Sequence, residues 1–81
     1  VEQTGKVVKI EKDGTNLHIS LECDFVNELR IDQSMSHNGV CLTVVEVTED
    51  YYTVTAVQET LDKSNLGLLK VGDEVNLERS M

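Results

Sequence analysis

Apolar and polar residues alternate along several short segments of this chain, and this period of two restricts the fold more than any other feature of the sequence. The segments LHISLE (17–22), VCLTVVEV (40–47) and YYTVTAV (51–57) show the alternation most clearly. Successive side chains of a β-strand point to opposite faces, so each segment predicts a strand with one buried face. Valine is frequent in these segments, and β-branched side chains pack well on a pleated sheet.

Turn signals separate these segments and join them into hairpins. Asp13-Gly14 and Asn38-Gly39 are dipeptides typical of tight hairpin turns, and the loop TED (48–50) is short enough to join the two clearest strands. Together with the alternation, these turns predict six strands, at residues 5–12, 17–22, 32–39, 40–47, 51–57 and 74–78.

Six short strands joined by hairpins favour an all-β fold, a small antiparallel barrel, because closing the sheet leaves no exposed edge. Residues 58–67 break the alternation and predict one short helix that ends at Gly67. A chain of 81 residues has room for a single domain, 1–81. The segments LRID (29–32) and LKVGD (69–73) resemble each other, and on its own this similarity is interpreted as coincidence.

The strands at 40–47 and 51–57 are predicted to pair in the register that matches their apolar faces. One face then belongs to the core: Leu42, Val44, Val54 and Ala56. The other face carries a thiol, two hydroxyls and a small apolar patch: Cys41, Thr43, Thr55 and Val57. Such a face suits a flat heterocycle with polar edges. The same residues are also ordinary strand formers, and the pattern alone favours simple packing.

The charge of the chain argues against two classes of partner. Fifteen acidic residues against seven basic ones give a formal net charge of −8, which repels phosphate backbones and anionic lipid surfaces. No apolar run approaches the roughly 20 residues that cross a bilayer. We therefore expect a soluble protein that binds neither nucleic acid nor a membrane.

The cysteines and histidines give little direct evidence of chemistry. Two cysteines, Cys23 and Cys41, are fewer than disulfide-stapled secreted domains carry, and they have no metal-ligand spacing. The sequence therefore predicts reduced thiols in a cytoplasmic protein without a metal. His18 lies on a polar strand face and is expected to be solvated. His37 precedes the Asn38-Gly39 turn, where it could reach a ligand or, as the pattern favours, cap the turn.

Three longer blocks carry a resemblance to a known family: SHNGVCLTVVEV (36–47), ETLDKSNLG (59–67) and LKVGDEVNLER (69–79). In this order and spacing they closely resemble the N-terminal lumazine-binding domain of riboflavin synthase. The resemblance runs from about Gly5 to Arg79, nearly the whole chain. It implies a six-stranded Greek-key barrel, which agrees with the strands predicted from the alternation.

The resemblance implies a transferase that catalyses the last step of riboflavin biosynthesis. In this dismutation one 6,7-dimethyl-8-ribityllumazine donates a four-carbon unit to another, which gives riboflavin and 5-amino-6-ribitylamino-pyrimidinedione. No metal and no separate cofactor are implied. The family's enzyme carries two such barrels in tandem and forms a homotrimer, in which barrels of neighbouring subunits face each other. One barrel supplies half a site, so this chain is expected to bind the ligand with little or no activity, and its expected partner is the second barrel or a second copy of itself.

The resemblance also implies site residues. The candidate catalytic residues are Cys41 and Ser34, which lie near the reacting ring system in the family, and His37 beside them. The implied substrate contacts are Val1, Cys41, Leu42, Thr43, Thr55, Ala56, Val57, Gln58, Glu59 and Thr60. They include the thiol and hydroxyl face that the hairpin register identifies. The same family leaves an alternative, a non-catalytic protein that binds lumazine or flavin, and a barrel that binds nothing is the third hypothesis.

Overall fold

The computed structural model describes residues 3–24, 26–58, 60 and 66–79, and in this part of the chain six antiparallel strands close into a barrel. The strands are β1 (Gln3–Asp13), β2 (Asn16–Glu22), β3 (Ser34–His37), β4 (Val40–Val47), β5 (Tyr52–Ala56) and β6 (Glu74–Arg79). Around the barrel they follow the order β1-β2-β5-β4-β3-β6. The predicted six-stranded antiparallel barrel is confirmed, and β4 has the predicted bounds.

Short 3-10 turns precede β3 and β6, at Val26–Glu28 and Leu66–Leu68. The predicted helix at 58–67 falls largely outside the described residues. Gln58 and Thr60 are helical, and Gly67, predicted to end the helix, lies inside the second 3-10 turn. Among the described residues, no helix is long and apolar enough to cross a membrane.

Among the described residues, the side chains buried inside the barrel are mostly aliphatic and include Tyr52 and His37. The buried apolar side chains come from all six strands and both 3-10 turns: Val7, Ile19, Leu21, Val26, Leu29, Met35, Leu42, Val44, Tyr52, Val54, Ala56, Leu66, Val75 and Leu77. His37 is buried among them at 1% exposure. The predicted core face of β4 and β5 is therefore confirmed.

A β-bulge breaks the alternation of β1. Val7 pairs with Leu21 and Lys9 pairs with Ser20, so Val8 is an additional residue in the ladder. Val7 is fully buried and Ile10 packs against the core, whereas uninterrupted alternation puts these two residues on opposite faces. A bulge inserts one residue and so reverses the faces beyond it. Simple alternation through residues 5–12 therefore does not give the faces of this strand.

The two halves of the barrel repeat one another. Exchanging β1, β2 and β3 with β4, β5 and β6 leaves the order around the barrel unchanged. A second bulge lies between Val44 and Glu46 in β4, where β1 has its bulge between Val7 and Lys9. The barrel therefore has internal pseudo-twofold symmetry, in which Val7 and Val44 are equivalent.

The loops before β3 and β6 show the same symmetry in their hydrogen bonds. The Asp32 N–H donates to the Val44 carbonyl at 2.8 Å, and the Gly72 N–H donates to the Val7 carbonyl at 2.8 Å. Asp32 and Gly72 both have left-handed backbones, with φ of 73° and 100°. These loops contain LRID and LKVGD, so interpreting their similarity as coincidence was wrong. The two segments form equivalent turns in the two halves of the barrel.

Gly5 is a point of close packing between β1 and β6. A Cβ on this residue would lie 2.7 Å from Leu77 Cδ1 and 3.3 Å from the Glu22 carbonyl oxygen. Leu77 is fully buried, so its side chain has little room to move. We expect Gly5→Ala to lower the free energy of unfolding by about 1 to 3 kcal/mol, measured by urea denaturation.

A second-site variant separates this packing effect from a general intolerance of the strand. Leu77→Val shortens the side chain that the new methyl group would meet. The double variant Gly5→Ala/Leu77→Val should therefore lose less stability than the sum of the two single changes. Strict additivity would show that the two side chains do not collide.

Candidate functional site

The outer surface of β3, β4 and β5 carries a continuous set of uncharged side chains. Thr43 pairs with Thr55 on one side and with Ser34 on the other, and Ser36 pairs with Cys41. We call this set the neutral face; it consists of Ser34, Ser36, Cys41, Thr43, Thr55 and Val57. Cys41, Thr43 and Val57 are exposed, and the other three are half-buried. The predicted register of β4 and β5 is confirmed here.

Alternation along the strands decides which of the predicted site residues reach this face. Leu42 and Ala56 have buried side chains in the core, 4% and 0% exposed, so any ligand contact from them would come from the backbone. Gln58 is exposed and Thr60 is half-buried, directly after Val57. Val1 and Glu59 lie outside the described residues.

His37 is separated from the neutral face by the wall of the barrel. Its Nδ1–H donates to the Met35 carbonyl at 3.1 Å, so its Nε2 accepts the hydrogen bond from the Tyr52 hydroxyl at 2.9 Å. The structure places Cys41 and Ser34 on the same outer face but does not bring His37 to them. The His37 side chain does not cap the Asn38-Gly39 turn. Instead, Asn38 Oδ1 accepts a hydrogen bond from the Asn76 N–H.

Burial sets the protonation of this interior pair. It lowers the pKa of His37 from 6.5 to about 4, and the hydrogen bond to the Met35 carbonyl offsets part of the effect. Burial also raises the pKa of the Tyr52 hydroxyl well above its ordinary value, with a smaller contribution from Cys23. Both groups are therefore neutral at physiological pH, and the pair joins β3 to β5 inside the barrel.

His18 was predicted to be merely solvated, but it lies at the edge of the neutral face. Its Nδ1 is 2.8 Å from Thr55 Oγ1, and its Nε2 is 3.6 Å from Asp13 Oδ2. Sequence patterns missed this residue because β2 and β5 are distant along the chain and meet only when the barrel closes. Beside it, the Ser20 and Thr53 hydroxyls are hydrogen-bonded at 2.8 Å.

The pseudo-twofold symmetry creates a second face of the same shape but different charge. Where Thr43 pairs with Ser34 and Thr55, Lys6 pairs with Glu74 and Glu22. We call this the charged face; it consists of Thr4, Lys6, Glu22, Glu74 and Asn76, all of them exposed. Ionised side chains bind water strongly, and covering them with an apolar ring is costly. Of these two faces, the neutral one suits a flat, uncharged heterocycle.

A family model described as the lumazine binding domain matches residues 1–80 of the chain. The chain belongs to this family. The neutral face, with its thiol and hydroxyls, is thus part of the outer surface of a lumazine-binding domain.

Relatives with known names include riboflavin synthases. The Escherichia coli (strain K12) riboflavin synthase is 42% identical over 82 residues, which cover 99% of this chain and 38% of the relative. The Photobacterium phosphoreum riboflavin synthase is 35% identical over 83 residues, which cover 100% of this chain and 38% of the relative. This lumazine-binding domain thus spans little more than a third of the length of these relatives.

Solved structures of LumP have the same fold. LumP complexed with 6,7-dimethyl-8-(1′-D-ribityl) lumazine superposes with a TM-score of 0.88 at 26% identity, covering 98% of this chain and 44% of that chain. LumP complexed with riboflavin gives a TM-score of 0.89 at 26% identity with the same coverage. Both comparisons extend the agreement from sequence to three-dimensional arrangement.

Proposed function

We propose that this barrel is the N-terminal half-site of a riboflavin synthase, and that its neutral face binds ribityllumazine and riboflavin. The observation that carries the proposal is the uncharged row Ser34–Thr43–Thr55 beside Cys41, opposed to the charged row at the equivalent place. The family membership and the riboflavin synthases among the relatives support the same activity.

The chemistry of the neutral face fits a ligand with a flat ring and a hydroxylated chain. Cys41 and Val57 provide a small polarisable and apolar surface for the ring. Thr43 provides a hydroxyl that can donate and accept, and Thr55 provides a second hydroxyl, which is hydrogen-bonded to His18. Ser34 and Cys41 stay our candidates for hydrogen bonding or proton transfer at the reacting ring. Val1, Gln58, Glu59 and Thr60 stay predicted contacts, and Leu42 and Ala56 take part through the backbone in this proposal.

His37 takes a different role in this proposal from the catalytic one that the resemblance implies. Its buried pair with Tyr52 fixes β3 against β5, the strands that present Ser34 and Thr55. It therefore positions the neutral face from within the barrel and does not touch the substrate.

The complete protein in this proposal has a second barrel in tandem and assembles as a homotrimer. A dismutation needs two ligands stacked in a fixed orientation, and holding them so converts an encounter into a positioned reaction. One face on one barrel holds one of the two molecules. No disulfide joins Cys23 and Cys41, which supports a location in the reducing cytoplasm.

Titration of the purified chain into riboflavin, followed by ligand fluorescence, tests the binding site. Thr43→Val keeps the shape of the side chain and removes one hydroxyl, so we expect binding weaker by about 1 to 2 kcal/mol with the fold retained. Circular dichroism checks the fold. Saturable binding that is unchanged in Thr43→Val would place the ligand elsewhere on the barrel.

Binding without turnover is the second candidate function. The burial of His37 favours it, because one of the three predicted catalytic side chains is withdrawn from the neutral face. In the complete protein, Cys41→Ser should lower lumazine turnover more than riboflavin binding if Cys41 takes part in proton transfer. A complete wild-type protein that binds both ligands and forms no riboflavin would establish the binding-only function.

A further inference from the structure

The neutral face continues past Thr55 into a groove of about 230 Å³ on the outside of β1, β2, β4 and β5. Polar and charged residues that line the groove include Lys9, Glu11, His18, Ser20, Glu46 and Thr53. Its floor includes the hydrogen-bonded hydroxyls of Ser20 and Thr53, 2.8 Å apart. Two residues along a strand span about 6.8 Å, so a short polyol chain that leaves a ring over Cys41 and passes Thr55 would reach this floor.

His18 lies where the neutral face meets the groove, and its surroundings orient its ring protons. Asp13 Oδ2 lies 3.6 Å from Nε2 and favours a proton on that nitrogen, which leaves Nδ1 as an acceptor. The Thr55 hydroxyl, 2.8 Å from Nδ1, then donates a hydrogen bond to His18 Nδ1. The lone pairs of the Thr55 oxygen remain available for a hydroxyl group that donates a hydrogen bond.

The charges around the groove disfavour an anionic ligand. Glu11, Asp13 and Glu46 contribute three carboxylates around His18, against the single ammonium of Lys9, whose Nζ lies 3.7 Å from Glu11 Oε1. A phosphate monoester carries a charge of about −1.5 to −2 at neutral pH. At the end of the polyol chain it would meet these carboxylates, so the charge of the groove favours a free hydroxyl there.

We propose that the groove determines the specificity of the site for a flavin or lumazine with a free polyol chain: the Asp13–His18–Thr55 chain accepts a hydroxyl of the polyol, and the carboxylates around the groove disfavour its phosphate ester. This inference rests on the proposed binding function of the neutral face. His18 acts through the hydroxyl of Thr55 and is a positioning residue.

The test compares riboflavin with riboflavin 5′-phosphate, each titrated against the 81-residue chain by fluorescence. The wild type should bind riboflavin about tenfold more tightly than riboflavin 5′-phosphate, because the groove and the phosphate carry like charges. His18→Phe keeps a planar ring without nitrogens, and it should weaken riboflavin binding by roughly 3- to 10-fold, as one lost hydrogen bond would. His18→Asn keeps an acceptor near the Nδ1 position and should restore most of the affinity.

Removal of two carboxylates from the groove, with a matched control on the charged face, separately tests the repulsion of the phosphate. Glu11→Gln/Glu46→Gln should tighten binding of the phosphate ester more than binding of riboflavin, and so reduce the preference between the two ligands. Glu22→Gln/Glu74→Gln removes the same charge from the charged face and should change neither affinity. Equal gains from both pairs would mean that only net charge matters, and this would overturn the assignment of the groove.

The outcomes separate this inference from the function on which it rests. Riboflavin binding with no preference over the phosphate ester, or with His18→Phe as tight as the wild type, would overturn the inference and keep the binding function. A folded chain that binds neither ligand would overturn both. Nitrogen NMR of the unliganded chain gives an independent measurement: a proton on His18 Nδ1 in place of Nε2 would contradict the proposed polarity.

Discussion

Acidification from pH 6.5 to pH 4 is expected to lower the free energy of unfolding by roughly 3 kcal/mol through His37 alone, at about 1.36 kcal/mol for each unit of pKa difference. Burial lowers the pKa of His37 to about 4 in the folded chain, against 6.5 in the unfolded chain. Between these values the unfolded chain binds a proton that the folded chain does not, so stability is present above pH 6.5 and falls as pH drops towards 4. For 81 residues, with a total stability of roughly 4 to 12 kcal/mol, the effect is large.

Urea denaturation at several pH values between 7 and 4 measures this loss. The control is His37→Leu/Tyr52→Phe, which removes the titrating group together with the hydroxyl that would otherwise be left without its acceptor. Leu77 pairs with His37 and is its equivalent under the pseudo-twofold symmetry. The barrel therefore already accommodates a leucine at the equivalent position. Carboxylates titrate in both proteins, so the difference between the two curves reports His37. Parallel curves would contradict the prediction.

The strands of this barrel were predictable because they depend on local patterns. Alternation along β4 and β5 and the short loop between them determined the bounds of β4 and the faces of its residues up to Val44, where the bulge begins. Asn38 and Gly39 both adopt positive φ, 52° and 87°, as the Asn-Gly dipeptide predicts for a tight turn. These features need no information from distant parts of the chain.

Features that depend on distant contacts were not predictable in this way. The bulge at Val8 reverses the faces of β1, and its partner residues come from another strand. His18 was predicted to be solvated because the neighbour of β2 on its far side, β5, is separated from it by a Greek-key connection. The alternation of β3 directs the His37 side chain into the core, where it forms a hydrogen bond with the Tyr52 hydroxyl. The resemblance identified this residue as a candidate but did not indicate the direction of its side chain.

The pseudo-twofold symmetry gives the barrel two equivalent faces, one neutral and one charged, and this difference leads to the variant with the largest expected effect on binding. Thr43→Lys/Thr55→Glu gives the neutral face the oppositely charged pair that Lys6 and Glu22 form on the charged face. We expect the affinity for riboflavin to fall by at least about 100-fold, roughly 2.7 kcal/mol, because a bound ring would remove water from two ions. The fold should survive, since the same cross-strand pair exists at the equivalent position and opposite charges across strands are favourable.

Lys6→Thr/Glu22→Thr is the matched control, since it alters the equivalent pair and leaves the neutral face untouched. Riboflavin titration should give the wild-type affinity for the first site in this control. Weak binding of a second riboflavin would further support the role of charge in choosing between the faces, because the control makes the second face resemble the first. Loss of the first site in the control, with binding retained in Thr43→Lys/Thr55→Glu, would reverse the assignment and place the ligand on the charged face.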